Sequence, residues 1–88
     1  MFEGKRVGVV VPAYDEEALI GATLGGIPPL VDRIIVVNDG SSDGTVERAQ
    51  GTGDPRVEVI SHEQRGGVGA ATVTGYRRAL AEGMDVVV

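Results

Sequence analysis

Three stretches of this chain gather flat rings, carboxylates and glycines in a pattern that could hold a ligand. They are Pro12-Ala13-Tyr14-Asp15-Glu16-Glu17, Asn38-Asp39-Gly40-Ser41-Ser42-Asp43-Gly44-Thr45, and His62 to Ala71 with Gly66-Gly67-Val68-Gly69 inside it. Tyr14 or Pro12 can pack on a planar base, and a carboxylate can accept hydrogen bonds from a base or a ribose. Glycines let the backbone approach a ligand closely. This is recognition chemistry suited to a nucleotide. Each stretch alone has a plainer reading: Pro12 as a strand end, Asp15 to Glu17 as a solvated helix start, Tyr14 as a half-buried aromatic. Their convergence on one edge of a sheet is what favours the ligand site.

Two motif resemblances fail on their details. Gly67-Val68-Gly69-Ala70-Ala71-Thr72 imitates a dinucleotide fingerprint, but it follows the third apolar run instead of the first, and Thr72 stands where the third glycine belongs. Asp39, Ser41, Asp43 and Gly44 imitate the start of a calcium loop. Its last position is Gln50, which offers no bidentate carboxylate, and a strand precedes it where a helix is required. His62, the single histidine, reads as a loop residue without a catalytic role, since a lone imidazole defines neither a metal site nor a nucleophile.

The elements that must position these loops follow from hydrophobic patterning. Apolar runs of strand length occur at Val7 to Val11, Ile34 to Val37, Val57 to Ile60 and Asp85 to Val88, with helix-like stretches between them. Ile34-Ile35-Val36-Val37 does not alternate with polar residues, which predicts strands covered on both faces, hence a parallel sheet. The fold class is α/β, a Rossmann-like parallel sheet of about four strands with three helices. In such sheets ligands bind beyond the carboxyl ends of the strands, where all three stretches lie.

The first helix is expected from Asp15 as N-cap to Gly25-Gly26, and the second from Ser42 or Asp43 to between Gly51 and Pro55. The third places Val68, Ala71, Thr72, Gly75, Tyr76 and Ala79 at helical spacing and stops at Gly83.

Composition narrows the partners. The chain has 88 residues and a formal net charge of -5, and its eight Lys and Arg residues form no run longer than two, which excludes a nucleic-acid footprint. It has no cysteine, hence no disulfide or thiolate metal site, and its start lacks the pattern of a secretory signal, so cytoplasmic exposure is expected. One partial domain over residues 1–88 accommodates everything above.

The chain resembles family 2 glycosyltransferases, and among them the polyprenyl- or dolichyl-phosphate mannosyl- and glucosyltransferase branch. Four features carry the resemblance in order: Val-Val-Pro-Ala-Tyr-Asp-Glu-Glu from Val10, Ile-Ile-Val-Val-Asn-Asp-Gly-Ser-Ser-Asp-Gly-Thr from Ile34, Gly-Val-Gly-Ala-Ala from Gly67, and the strand at Asp85. The resemblance implies the nucleotide-binding half of a GT-A fold and an inverting transfer of a hexose from a UDP- or GDP-linked sugar to an acceptor such as polyprenyl phosphate, at the cytosolic face of a membrane.

By the same resemblance Pro12, Ala13, Tyr14 and Glu16 line the base and ribose, Asp39 contacts the nucleoside, and Gly40 with Ser41 forms the turn beside it. Three residues depart from the family pattern: Asp15 and Arg65 stand where Asn is usual, and Asn38 where Asp is common. The family's Asp-x-Asp motif for Mg or Mn, and its catalytic base, are expected beyond Val88, so the 88 residues alone are expected to bind without catalysing. The alternative is a stand-alone nucleotide-binding or interaction module. Ending on Val86-Val87-Val88 is further expected to leave an apolar strand edge open to self-association.

Overall fold

The computed structural model describes residues 1–88. Strands β1 (Val7–Ala13), β2 (Arg33–Asp39), β3 (Val57–His62) and β4 (Val86–Val87) alternate with helices α1 (Ile20–Gly25), α2 (Thr45–Gln50) and α3 (Val68–Ala81). All neighbouring strands are parallel, in the order β3-β2-β1-β4. The chain therefore walks outward from β1 to β3 and then returns to the far side of β1, which makes β1 the point where strand order reverses. The predicted four-stranded parallel sheet with three helices is the one observed.

Side-chain alternation sorts the strand residues into two cores. Val7, Ala13, Ile34 and Val36 pack with Ile20, Leu24 and Ala49 of α1 and α2 on one face, while Ile35 and Val37 pack with Ala71, Ala79 and Met84 on the α3 face. Ile34 to Val37 are fully buried, as a strand covered on both sides requires.

The helix starts differ from the pattern-based expectation. Asp15 is not an N-cap: it has a positive φ of 49°, and α1 begins only at Ile20. The reason is a zipper between two loops. Asp15 N–H donates to Ser41 Oγ at 2.9 Å, Ser42 N–H donates to Asp15 Oδ1 at 2.9 Å, and Glu16 N–H donates to Thr45 Oγ1 at 2.9 Å. The left-handed backbone is tolerated best by Asn and Asp among non-glycine residues, which suits Asp15 to this position. Similarly α2 starts at Thr45, not at Ser42 or Asp43, because Asp43 accepts from the Thr45 N–H and hydroxyl and so holds the preceding turn.

Helix α3 covers its predicted span but turns a narrower face inward. Ala71, Gly75 and Ala79 are buried, whereas Val68 is 72% and Tyr76 39% exposed. A Cβ on Gly75 would lie 2.2 Å from Val10 Cγ1, so the helix axis sits too close to the sheet for anything but a stripe of small residues. At the sheet edge β4 is shorter than predicted, although Val88 extends its ladder through bonds of 2.9 Å from Val10 N–H to its carbonyl and from its own N–H to Gly8.

Candidate functional site

At the carboxyl ends of β1 and β2 a cleft of about 160 Å³ is lined by Pro12, Ala13, Tyr14, Glu16, Asp39, Arg65, Val68 and Ala71. Five residues read from the sequence as ligand-binding therefore share one cleft. Gly40 and Ser41 do not line it. They build the adjoining turn instead: Gly40 has a φ of +79° and would place a Cβ 3.0 Å from the Arg65 nitrogen, and Ser41 N–H donates to Asn38 Oδ1 at 3.1 Å. A larger groove of about 720 Å³ runs between α1 and α2, but Leu24 is its one apolar lining residue and no aromatic ring faces it. It is a seam between two short helices, lacking the mix of apolar wall and convergent polar groups that ligand sites show.

Asp39 is the best-held group of the cleft. It is 3% exposed, and both oxygens accept hydrogen bonds: Oδ1 from Gly66 N–H at 2.8 Å, Oδ2 from Gly67 N–H at 2.7 Å. His62 Nδ1 lies 2.9 Å from the same Oδ1, and His62 Nε2 lies 2.9 Å from Thr74 Oγ1. The Gly66 N–H foremost, then His62, hold the Asp39 carboxyl below the usual carboxylate range. Such a carboxylate stays ionised and is a poor proton acceptor at neutral pH; it suits orientation and hydrogen-bond acceptance better than general-base work.

Two residues that the structure brings to the candidate site were not legible as such. His62 is the last residue of β3, not a loop residue, and its register partner on β2 is Asp39. Its one available signal was that the second and third strands are neighbours ending at the same level. Arg65 lies with its guanidinium carbon 3.8 Å from the centre of the Tyr14 ring, a cation–π contact across the cleft. No pattern in the sequence announces that contact, because it depends on the path of the loop between β3 and α3.

The chain's own residues do not compose a metal site. No group of three or more His, Asp or Glu side chains converges. Asp15, Asp39 and Asp43 instead spend their oxygens on backbone N–H groups of neighbouring loops.

With that geometry in place, comparison with known proteins settles the family. The model for "Glycosyl transferase family 2" matches residues 8–88. The chain belongs to glycosyltransferase family 2. It is 36% identical over 87 residues to an undecaprenyl-phosphate mannosyltransferase of Micrococcus luteus, covering 94% of this chain and 36% of that protein. It is 38% identical over 96 residues to a glucosyl-3-phosphoglycerate synthase of Mycolicibacterium paratuberculosis, covering 97% and 27%.

Among solved structures, the Mycobacterium tuberculosis glucosyl-3-phosphoglycerate synthase in complex with Mn2+, UDP-glucose and phosphoglyceric acid superposes with a TM-score of 0.75 at 37% identity, covering 96% of this chain and 32% of that one. A mannosyltransferase from Pyrobaculum calidifontis in complex with GDP-mannose and Mn2+ gives a TM-score of 0.75 at 30% identity, covering 85% and 24%. These neighbours are GT-A glycosyltransferases, so the sheet is that of a GT-A fold. The chain spans about a third of the length of these relatives.

Proposed function

We propose that this chain forms the nucleotide-binding part of a glycosyltransferase that passes a hexose from a UDP- or GDP-linked sugar to an acceptor. The observation that carries the reading is the meeting of Pro12, Ala13, Tyr14, Glu16 and Asp39 in one cleft at the point where strand order reverses. Tyr14 offers the stacking face, Glu16 is the free carboxylate for base or ribose, and Asp39 anchors the loop that closes the cleft. Gly40 and Ser41 shape the turn beneath it.

The acceptor we propose is a phosphate ester, with polyprenyl phosphate first, because the relatives' names give undecaprenyl phosphate, dolichyl phosphate and phosphoglycerate as acceptors. A divalent ion, Mg or Mn, belongs to this reading through ligands outside these 88 residues, as in the relatives solved with Mn2+. No helix is long and apolar enough to cross a membrane. The proposed working place is the cytoplasm at the cytosolic membrane face, where a lipid-phosphate acceptor would be presented.

Calorimetry with UDP and GDP tests the reading. Binding is expected to be weak, and Tyr14→Ala should weaken it by about fivefold or more, the scale of one lost base–aromatic stack. Asp39→Ala should abolish it by releasing the Gly66–Gly67 loop. Equal affinities for all three proteins would overturn the assignment.

The open edge of β4 adds an assembly proposal for the isolated chain. Phe2, Leu30, Val86 and Val88 are 55%, 42%, 39% and 70% exposed and lie around one apolar hollow. An unpaired strand flanked by such a patch recruits a second copy. Sedimentation at several concentrations should show concentration-dependent dimers, and a strict monomer throughout would refute this.

A further inference from the structure

The Tyr14 ring is the one aromatic surface in the cleft, since the chain has no Trp, a single Phe near its start and only one other Tyr, on α3. That ring is already occupied. The Arg65 guanidinium carbon sits 3.8 Å from its centroid, over the face on which a planar base would stack. Arg65 makes no hydrogen bond or ion pair through its side chain, although Glu16 lines the same cleft, so its contact with the ring is what holds it there. The cleft it covers, about 160 Å³, is well below the roughly 300 Å³ at which ligand pockets begin. A base reaches the Tyr14 face only once the guanidinium leaves it. The Arg65 side chain is the long, exposed and unanchored candidate, whereas Asp39 is pinned by three partners and Ala13 and Ala71 belong to the buried core.

We infer that Arg65 is a specificity-determining residue that stands in for the base: in the free protein its guanidinium occupies the Tyr14 face, and a nucleoside binds by displacing it. This rests on the nucleotide reading of the cleft. The contact is exposed, so the barrier it sets is small and selective. Ligands that stack well on Tyr14 displace it; sugars and phosphates lacking a base do not. Arg65 thereby screens for the base before the rest of the ligand is engaged.

The test uses uridine and guanosine, which are uncharged and so report stacking without any attraction between Arg65 and phosphate. In the isotopically labelled chain, Arg65 side-chain protons should carry an upfield ring-current shift from Tyr14 that disappears as nucleoside saturates the cleft. Arg65→Asn, which cannot reach the ring and breaks no hydrogen bond, should bind the better of the two nucleosides about two- to five-fold more tightly, the equivalent of an exposed cation–π contact.

Unchanged or weaker nucleoside binding by Arg65→Asn, or an Arg65 shift that persists at saturation, would overturn the inference while leaving the cleft a nucleotide site. Nucleosides that leave the Tyr14 signals unmoved in both proteins would remove the nucleotide reading, and the inference with it.

Discussion

His62 and Asp39 end adjacent parallel strands opposite one another, with Nδ1 of the imidazole 2.9 Å from Oδ1 of the carboxylate. The same imidazole reaches Thr74 on α3 through its other nitrogen, and the same carboxylate holds the two glycines that open α3. One short chain of polar contacts thus ties the ends of β2 and β3 to the helix that walls the cleft. It positions groups; it does not react.

His62→Phe should cut both contacts while preserving bulk. Partly buried groups left without a partner cost more than the bond itself contributed, so a fall in melting temperature of about 4–8 °C is expected for a domain of this size. Nucleotide affinity should fall with it, and His62→Gln, which can still bond to one side, should lie between. Wild-type melting and affinity in His62→Phe would show that Gly66 and Gly67 hold Asp39 unaided.

Acid should destabilise the fold through its aspartates. Asp39 is held low by the Gly66 N–H and His62, Asp32 by the Val7 N–H, Asp43 by the Thr45 hydroxyl, and Asp54 by Arg56. Each has a folded pKa below its ordinary value of 3.8, so each stabilises the fold above that value and loses the contribution as pH falls through the folded one. Thermal melts between pH 7 and pH 2 should show stability declining below about pH 4, with a shallower decline in Asp39→Asn. An identical slope in the variant would mean that Asp39 is not perturbed.

Glu58 should behave in the opposite sense. The Glu82 carboxyl beside it, followed by burial, raises its pKa in spite of Arg78 at 3.0 Å and Arg33 at 3.6 Å. A raised carboxylate opposes folding at neutral pH, and that opposition fades only as pH falls from the folded value through the ordinary value of 4.5. Glu58→Gln should therefore melt at or above the wild-type temperature at pH 7, and the gap should close on acidification. A clear loss at pH 7 would show that the arginine pairs outweigh the repulsion between the two carboxylates.

Much of this was legible in the sequence, for physical reasons that differ by residue. Ile34 to Val37 announced a doubly covered strand because burial on both faces suppresses alternation, and Pro12, Tyr14, Glu16 and Asp39 met because parallel strands bring their carboxyl ends to one edge. Asp15 misled because its capping chemistry is used between loops, on a backbone with positive φ that spacing does not reveal. Val68 and Tyr76 fit the helical period of α3 yet face outward, since the closeness set by Gly75 narrows the buried stripe. His62 and Arg65 acquire their partners only once strand order and loop path are known.

That closeness gives the sharpest packing test. In an ordinary helix interior Gly→Ala stabilises by up to about 1 kcal/mol, because alanine gives up less backbone freedom on folding. At Gly75 the added Cβ would fall 2.2 Å from Val10 Cγ1 and 3.0 Å from its Cγ2, deep inside van der Waals contact. Neither side can yield easily: Val10 is fixed in β1 between β2 and β4, and α3 is held by Ala71 and Ala79 on either side of the glycine. Overpacking should win, so Gly75→Ala is expected to destabilise by about 1–3 kcal/mol in urea denaturation. Val10→Ala in the same chain removes both clashing methyls, and the double variant should be more stable than Gly75→Ala alone even though Val10→Ala by itself destabilises. A stabilising Gly75→Ala, or a double variant no better than the sum of its parts, would mean that α3 stands further from the sheet than these contacts require.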